Sequence, residues 1–342
     1  MKNVVSVILV AVAIALFTLG GTISMAGSPG GGGGPGVIAR LRGAELAATV
    51  PGLRELDVGV DIHDVEAVPS ASLTFAQVLD LVDAASKAVE DGASGVVITQ
   101  GTDTLEETAF LVDLLWAHPE PIVLTGAMRN PTLPGHDGPA NLLAAVGVAA
   151  SADARDLGAL VVFSDEIHAA RWVRKQHSTS TSTFVSPNAG PLGAVIEGRV
   201  RILTQLSRRL PLHSPNRDRV EATKVALYTV TLDDDGALLD GVAATHHGLV
   251  IAGFGVGHVS ASMAPRLGTL AEQLPVLLTS RTGAGSVLRD TYGATGSEAD
   301  LQRRGLLNAG MLDPYKARVL LRLLLAGGAD KAVIARMLHT YG

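Results

Sequence analysis

The chain has 342 residues, 47% hydrophobic and 18% charged, with no cysteine and a formal net charge of −6. That length supplies core for one large or two ordinary domains, and the hydrophobic share excludes a disordered chain. The missing cysteine excludes disulfides, thiolate catalysis and cysteine-ligated metals, and the lack of a clustered basic run excludes nucleic acid as a partner.

The first element has two readings. Met1-Lys2-Asn3 followed by a Val/Ile/Ala run resembles a short signal peptide, with Ala11–Ala13 resembling a cleavage site. A buried parallel strand also reads as an unbroken apolar run, and this reading is preferred, with the strand starting at Ile14 and residues 1–13 as an N-terminal extension. The run is too short for a membrane span, so no stable membrane association is expected. The expected location is cytoplasmic, or exported if the run is a signal.

Further strand-like runs follow at 95–99, 122–125 and 159–163, with helical patterns between them at 75–90, 105–117 and 139–150. Strands alternating with helices imply crossover units and a parallel sheet, whose ligands sit at the C-terminal strand ends. A polar stretch at 207–219 reads as a linker. Beyond it lie strand runs at 224–230, 249–252 and 276–279, then two terminal helix patterns at 314–325 and 329–340. The fold class is therefore α/β. A larger N-terminal domain (14–206), mainly a parallel sheet flanked by helices, precedes the linker and a smaller C-terminal α/β domain (220–342).

Polar residues stand just after two of the runs. Thr22 follows Gly20-Gly21, and Thr102-Asp103 follow Gly101, so strand, glycine and hydroxyl recur in the same order. The glycines leave backbone amides free to point at a bound group. Thr104 and Glu107 have the spacing of a helix capping box, which leaves Thr102 and Asp103 without a structural explanation. A hydroxyl needs a base or cation to become a nucleophile. The glycine-rich segment at 27–36 lacks the Gly-Lys-Ser/Thr ending of a phosphate loop and suits a mobile lid. His246-His247 lack a third ligand at metal spacing, and Gly253–Gly257 lack the final glycine of a dinucleotide fingerprint; both are read as structural, so neither metal nor cofactor is expected.

"TLGGTIS" (18–24) and "GVVITQGTDTLEET" (95–108) resemble the two signatures of the bacterial-type L-asparaginases. The similarity continues through "TGAMRNP" (125–131), "DGPANLLAAV" (137–146), the stretch 161–193 that contains "WVRKQHS", "GLVIAGFGVGH" (248–258) and "GMLDPYKARVLL" (310–321). The resemblance implies hydrolysis of L-asparagine to L-aspartate and ammonia through a threonine acyl-enzyme, without a cofactor, in a homotetramer built as a dimer of dimers. It implies that Thr22 is the nucleophile and that Thr102, Asp103 and Lys175 form the accessory catalytic group. Ser70 falls where the substrate α-carboxylate binds, with Gly21, Gly101, Thr102 and Asp103 around it, and Glu298 where an acid is contributed by a neighbouring subunit. The sequence departs from the family pattern at Leu19, Gln100, Ala71 and His258. The family's lid tyrosine is missing, because Tyr228, Tyr292, Tyr315 and Tyr341 are all remote in sequence from 27–36. The alternatives are a glutaminase-asparaginase or another amidohydrolase and, outside the enzymes, an amino-acid-binding protein.

Overall fold

The computed structural model describes residues 13–21, 23, 25–26, 38–39, 43–48, 50–65 and 68–342. Its strands in chain order are β1 (Ala13–Thr18), β2 (Met25–Ala26), β3 (Ile38–Ala39), β4 (Gly59–Asp64), β5 (Gly95–Thr99), β6 (Ile122–Thr125), β7 (Ala159–Phe163), β8 (Glu166–Ala169), β9 (Arg174–Lys175), β10 (Phe184–Val185), β11 (Gly193–Ile196), β12 (Arg199–Ile202), β13 (Val225–Thr229), β14 (Gly248–Gly253), β15 (Val276–Ser280) and β16 (Leu307–Asn308). Eight of them form one sheet in the order β12-β11-β8-β7-β6-β5-β1-β4. The run from β4 to β7 is parallel, whereas β8, β11 and β12 add an antiparallel edge. A second, wholly parallel sheet has the order β13-β14-β15-β16.

Side chains of a strand alternate between faces, and β1 shows the consequence. Ala15 and Phe17 enter one core with the helices Phe75–Glu90 and Leu105–Leu115, while Ile14 and Leu16 enter another with the helix Gly138–Ala149. The β1 run is thus a buried central strand; residues 1–12 of the expected extension lie outside the described residues. The first core continues into the helix Pro314–Ala326 and on to Val225, Val250 and Leu277 of the second sheet. That helix is therefore common ground between the two sheets.

The polar connection at 207–219 is docked. Arg208 donates to the carbonyls of Trp116 and His118 and to Asp156, Leu212 donates its N–H to the carbonyl of Leu114, and Arg217 bridges Asp80 and Asp83. Among the described residues, no helix is long and apolar enough to cross a membrane.

Candidate active site

Three parallel strand ends meet in register. Leu19, just past β1, donates its N–H to the carbonyl of Thr99 in β5, and Gln100 donates to the carbonyl of Thr125 in β6. Beyond them the backbone makes approaches that only glycine permits. Gly20 and Gly21 have φ of 82° and 87°. A Cβ on Gly21 would stand 2.3 Å from the Gly101 nitrogen, and one on Gly101 would stand 2.7 Å from Ser70 Oγ. The two glycine-containing signatures are thus in direct backbone contact, with Ser70 beneath them. Ser70 is carried there by the exit from β4, where Val68 donates its N–H to the carbonyl of Leu19.

Around this junction the expected residues assemble. Lys175 Nζ donates to Thr102 Oγ1 and to Asp103 Oδ1, both at 2.9 Å. Ser70 Oγ accepts the N–H of Asp103 at 3.2 Å. Thr102 and Ser70 are buried, the Lys175 side chain is 15% exposed and that of Asp103 is 69% exposed, so the group faces open space through its carboxylate. Thr104 stands at the N-cap position of the following helix, but its hydroxyl donates to the carbonyl of Ser70 and makes no capping bond, which corrects the capping-box reading of Thr104 and Glu107; the nearby capping box is Thr74 with Gln77. Gln100, one of the departures from the family pattern, is buried and donates to the Gly101 carbonyl and to Thr108 Oγ1, tying the turn to the helix behind it. Thr22 and the glycine-rich stretch 27–36 lie outside the described residues.

Lys175 comes from a strand pair far along the chain. It lies in β9, which pairs antiparallel with β10 so that Lys175 faces Phe184. Its main chain is held by residues that the sequence did not single out. Glu106 Oε2 accepts the N–H of Lys175 at 2.9 Å. Arg174 pairs with Asp313 at 2.5 Å, and Lys316 Nζ donates to the carbonyl of Val173. Burial pushes the Glu106 carboxyl above its usual range, opposed by the Lys175 N–H and the Lys316 ammonium. Burial likewise pulls the Lys316 ammonium below its own usual range, opposed by Asp313, Glu106 and Asp113. Glu106 looked in the sequence like an ordinary first-turn helix acid, and nothing in the local sequence marked it as buried.

An open cleft beside the group is lined by Asp103, Glu106, Arg174, Lys175, His177 and Tyr315. Tyr315, remote in sequence from the glycine-rich stretch, is thus brought to the cleft that Lys175 borders. Glu298 and His258 are elsewhere, after the C-terminal ends of the second sheet. Glu298 is fully buried; its Oε1 accepts the N–H groups of Thr291 and Tyr292, and its Oε2 lies 2.9 Å from His258 Nε2. Burial raises its pKa, but the Tyr292 amide, His258 and the Thr291 amide outweigh that and leave it lowered. Among the described residues, Glu298 shares no hydrogen bond with the Thr102 group. No group of three or more His, Asp or Glu that could hold a metal ion occurs among the described residues. The His246-His247 pair is engaged locally, with Thr245 and with the Lys224 N–H.

A family model described as "Asparaginase, N-terminal" matches residues 13–208, and one described as "Glutaminase/Asparaginase C-terminal domain" matches residues 224–338. An L-asparaginase of Bacillus licheniformis is 34% identical over 320 residues, covering 92% of this chain and 95% of that protein. A glutaminase-asparaginase of Acinetobacter glutaminasificans is 31% identical, covering 96% and 99%. The crystal structure of a probable cytoplasmic L-asparaginase from Campylobacter jejuni superposes with a TM-score of 0.82 at 29% identity, covering 96% of this chain and 99% of that one.

Proposed function

The chain belongs to the asparaginase family, and from that premise we propose that it hydrolyses L-asparagine to L-aspartate and ammonia. The observation that carries the proposal is the ammonium of Lys175 held 2.9 Å from both Thr102 Oγ1 and Asp103 Oδ1 at the end of a central parallel strand. A hydroxyl, an amine and a carboxylate in contact make a proton-transfer unit, which amide hydrolysis needs and simple amino-acid binding does not.

The mechanism has two halves. The Thr22 hydroxyl attacks the side-chain amide carbon, its proton is transferred to the amide nitrogen, and the C–N bond breaks to release ammonia. Water then attacks the resulting ester, its proton passing through the Thr102–Lys175–Asp103 group to the threonine oxygen as the ester C–O bond breaks, so that aspartate departs and the hydroxyl is restored. Main-chain N–H groups at the glycine junction around Gly21 and Gly101 stabilise the oxyanion in both halves. Ser70 binds the substrate α-carboxylate and Asp103 its α-ammonium, a charge-assisted pairing.

In the homotetramer the resemblance implies, Glu298 acts through its bonded cluster with His258 toward a neighbouring subunit. The reaction is assigned to the cytoplasm, supported by the likeness to the probable cytoplasmic L-asparaginase of Campylobacter jejuni; cell fractionation tests this. Glutamine as an additional substrate is the second reading, supported by relatives named glutaminase-asparaginase. Ammonia release from asparagine, glutamine and other amides, by the wild type and by Thr22→Ala, tests the assignment. Near-normal turnover of asparagine by Thr22→Ala would overturn the acyl-enzyme, and no release from any amide would overturn the enzyme.

A further inference from the structure

Three consecutive residues of the segment that carries Lys175 are gripped from outside it. The Val173 carbonyl accepts from Lys316, the Arg174 guanidinium pairs with Asp313, and the Lys175 N–H donates to Glu106. Two of the three grips come from the helix Pro314–Ala326 and the residue that caps it, at the junction of the two sheets. The third, Glu106, belongs to the helix that starts directly after Thr102–Thr104.

Lys316 is 2% exposed and Glu106 8%. Phe110, one turn after Glu106, faces Lys316 Nζ at 6.0 Å from its ring centre, and Asp113 lies one further turn on. Charged groups are costly to bury unless they are paired and hydrogen-bonded. Lys316 meets that cost with its bond to the Val173 carbonyl and with the nearby charges of Asp313, Glu106 and Asp113.

We propose that Glu106, backed by Lys316, is a positioning residue that fixes the main chain of Lys175 so that its ammonium meets Thr102 and Asp103 together. The bond is to the backbone, so it sets where the lysine side chain starts without touching the reacting atoms. It also links Lys175 to the C-terminal sheet, because Lys316 belongs to the helix that packs between the two sheets. The inference rests on Lys175 acting in the reaction, as proposed above.

Two conservative variants separate positioning from stability. Glu106→Gln keeps a side-chain oxygen that can accept the Lys175 N–H but removes the charge that faces Lys316. Glu106→Asp keeps the charge but draws the acceptor back by one methylene. A displacement on the order of 1 Å near a reacting group can cost up to about 100-fold in rate. Steady-state assays on folded protein are therefore expected to show kcat lowered about tenfold or more in Glu106→Asp and within about threefold of wild type in Glu106→Gln, with KM little changed in both. Thermal midpoints are expected in the reverse order, with Glu106→Gln the lower.

A purely electrostatic or structural role predicts that kcat and midpoint fall in the same variant, and that result would overturn the proposal, as would wild-type kcat in Glu106→Asp. Lys175→Met is assayed alongside. If it turns over asparagine normally, the reading of Lys175 fails; if it is inactive while Glu106→Asp is not, the positioning inference alone fails.

Discussion

Replacing Gly21 by alanine tests the claim that the active site depends on two backbones touching. The new Cβ would stand 2.3 Å from the Gly101 nitrogen, 2.5 Å from its Cα and 2.7 Å from the Gln100 carbonyl carbon. None of these is a flexible side-chain end, so one strand end must retreat by about 1 Å to reach ordinary contact. The φ of 87° adds left-handed strain of about 1–2 kcal/mol. Overpacking adds about 1–3 kcal/mol, for a total of about 2–5 kcal/mol. Gly241→Ala is the control, since Gly241 has φ of 81° with nothing within 4 Å of its would-be Cβ. It is expected to lose only the strain and to keep wild-type turnover.

Because the retreat moves the turn that bears Thr102 and Asp103, Gly21→Ala is expected to lose about 100-fold in kcat/KM. Denaturant unfolding and a coupled ammonia assay on both variants provide the comparison. Equal turnover in Gly21→Ala and Gly241→Ala would refute the requirement for contact.

Two further outcomes follow from individual side chains. Ser70→Ala removes the acceptor of the Asp103 N–H and is expected to raise KM for asparagine by about tenfold or more, the cost of one unpaired polar group beside a charge; an unchanged KM would reject the assignment of Ser70. His168, fully buried with Nδ1 3.0 Å from Ser186 Oγ, has its pKa held down from 6.5 to about 4 by burial and then by the Lys316 charge. Between these values the unfolded chain binds the extra proton, so stability is full above about pH 6.5 and falls as the pH drops toward 4. His168→Gln is expected to flatten that limb by about 3 kcal/mol in denaturant titrations across the window, and an unchanged slope would reject the buried neutral imidazole.

The parallel centre of the fold was legible because its strands are buried on both faces and so spell unbroken apolar runs; 95–99, 122–125 and 159–163 match β5, β6 and β7. The antiparallel edge was not, because β8, β11 and β12 are only four residues long; β8 and β12 mix charged with apolar residues, and β11 is the short run Gly193-Ala194-Val195-Ile196. The tight turn between β11 and β12, Glu197-Gly198 with φ of 52° and 70°, was a readable hairpin signal. The turn between β7 and β8, Ser164-Asp165, adopts positive φ without any glycine to mark it. At the site, Thr102 and Asp103 stood out locally as polar residues at a strand end. Lys175 is 72 residues from Asp103 and was linked to it only through the family resemblance. Glu106 was missed because a first-turn helix acid has an ordinary explanation, and only tertiary packing buries it against a lysine from the far end of the chain.

The most direct test of the central claim is parallel measurement of ammonia and aspartate released from L-asparagine by the wild type and by Lys175→Met. Equal amounts of both products are expected from the wild type, and a loss of about 100-fold or more in Lys175→Met, the size expected for removing a proton-transfer group. Wild-type turnover in Lys175→Met, or asparagine bound without release of either product by the wild type, would contradict that claim.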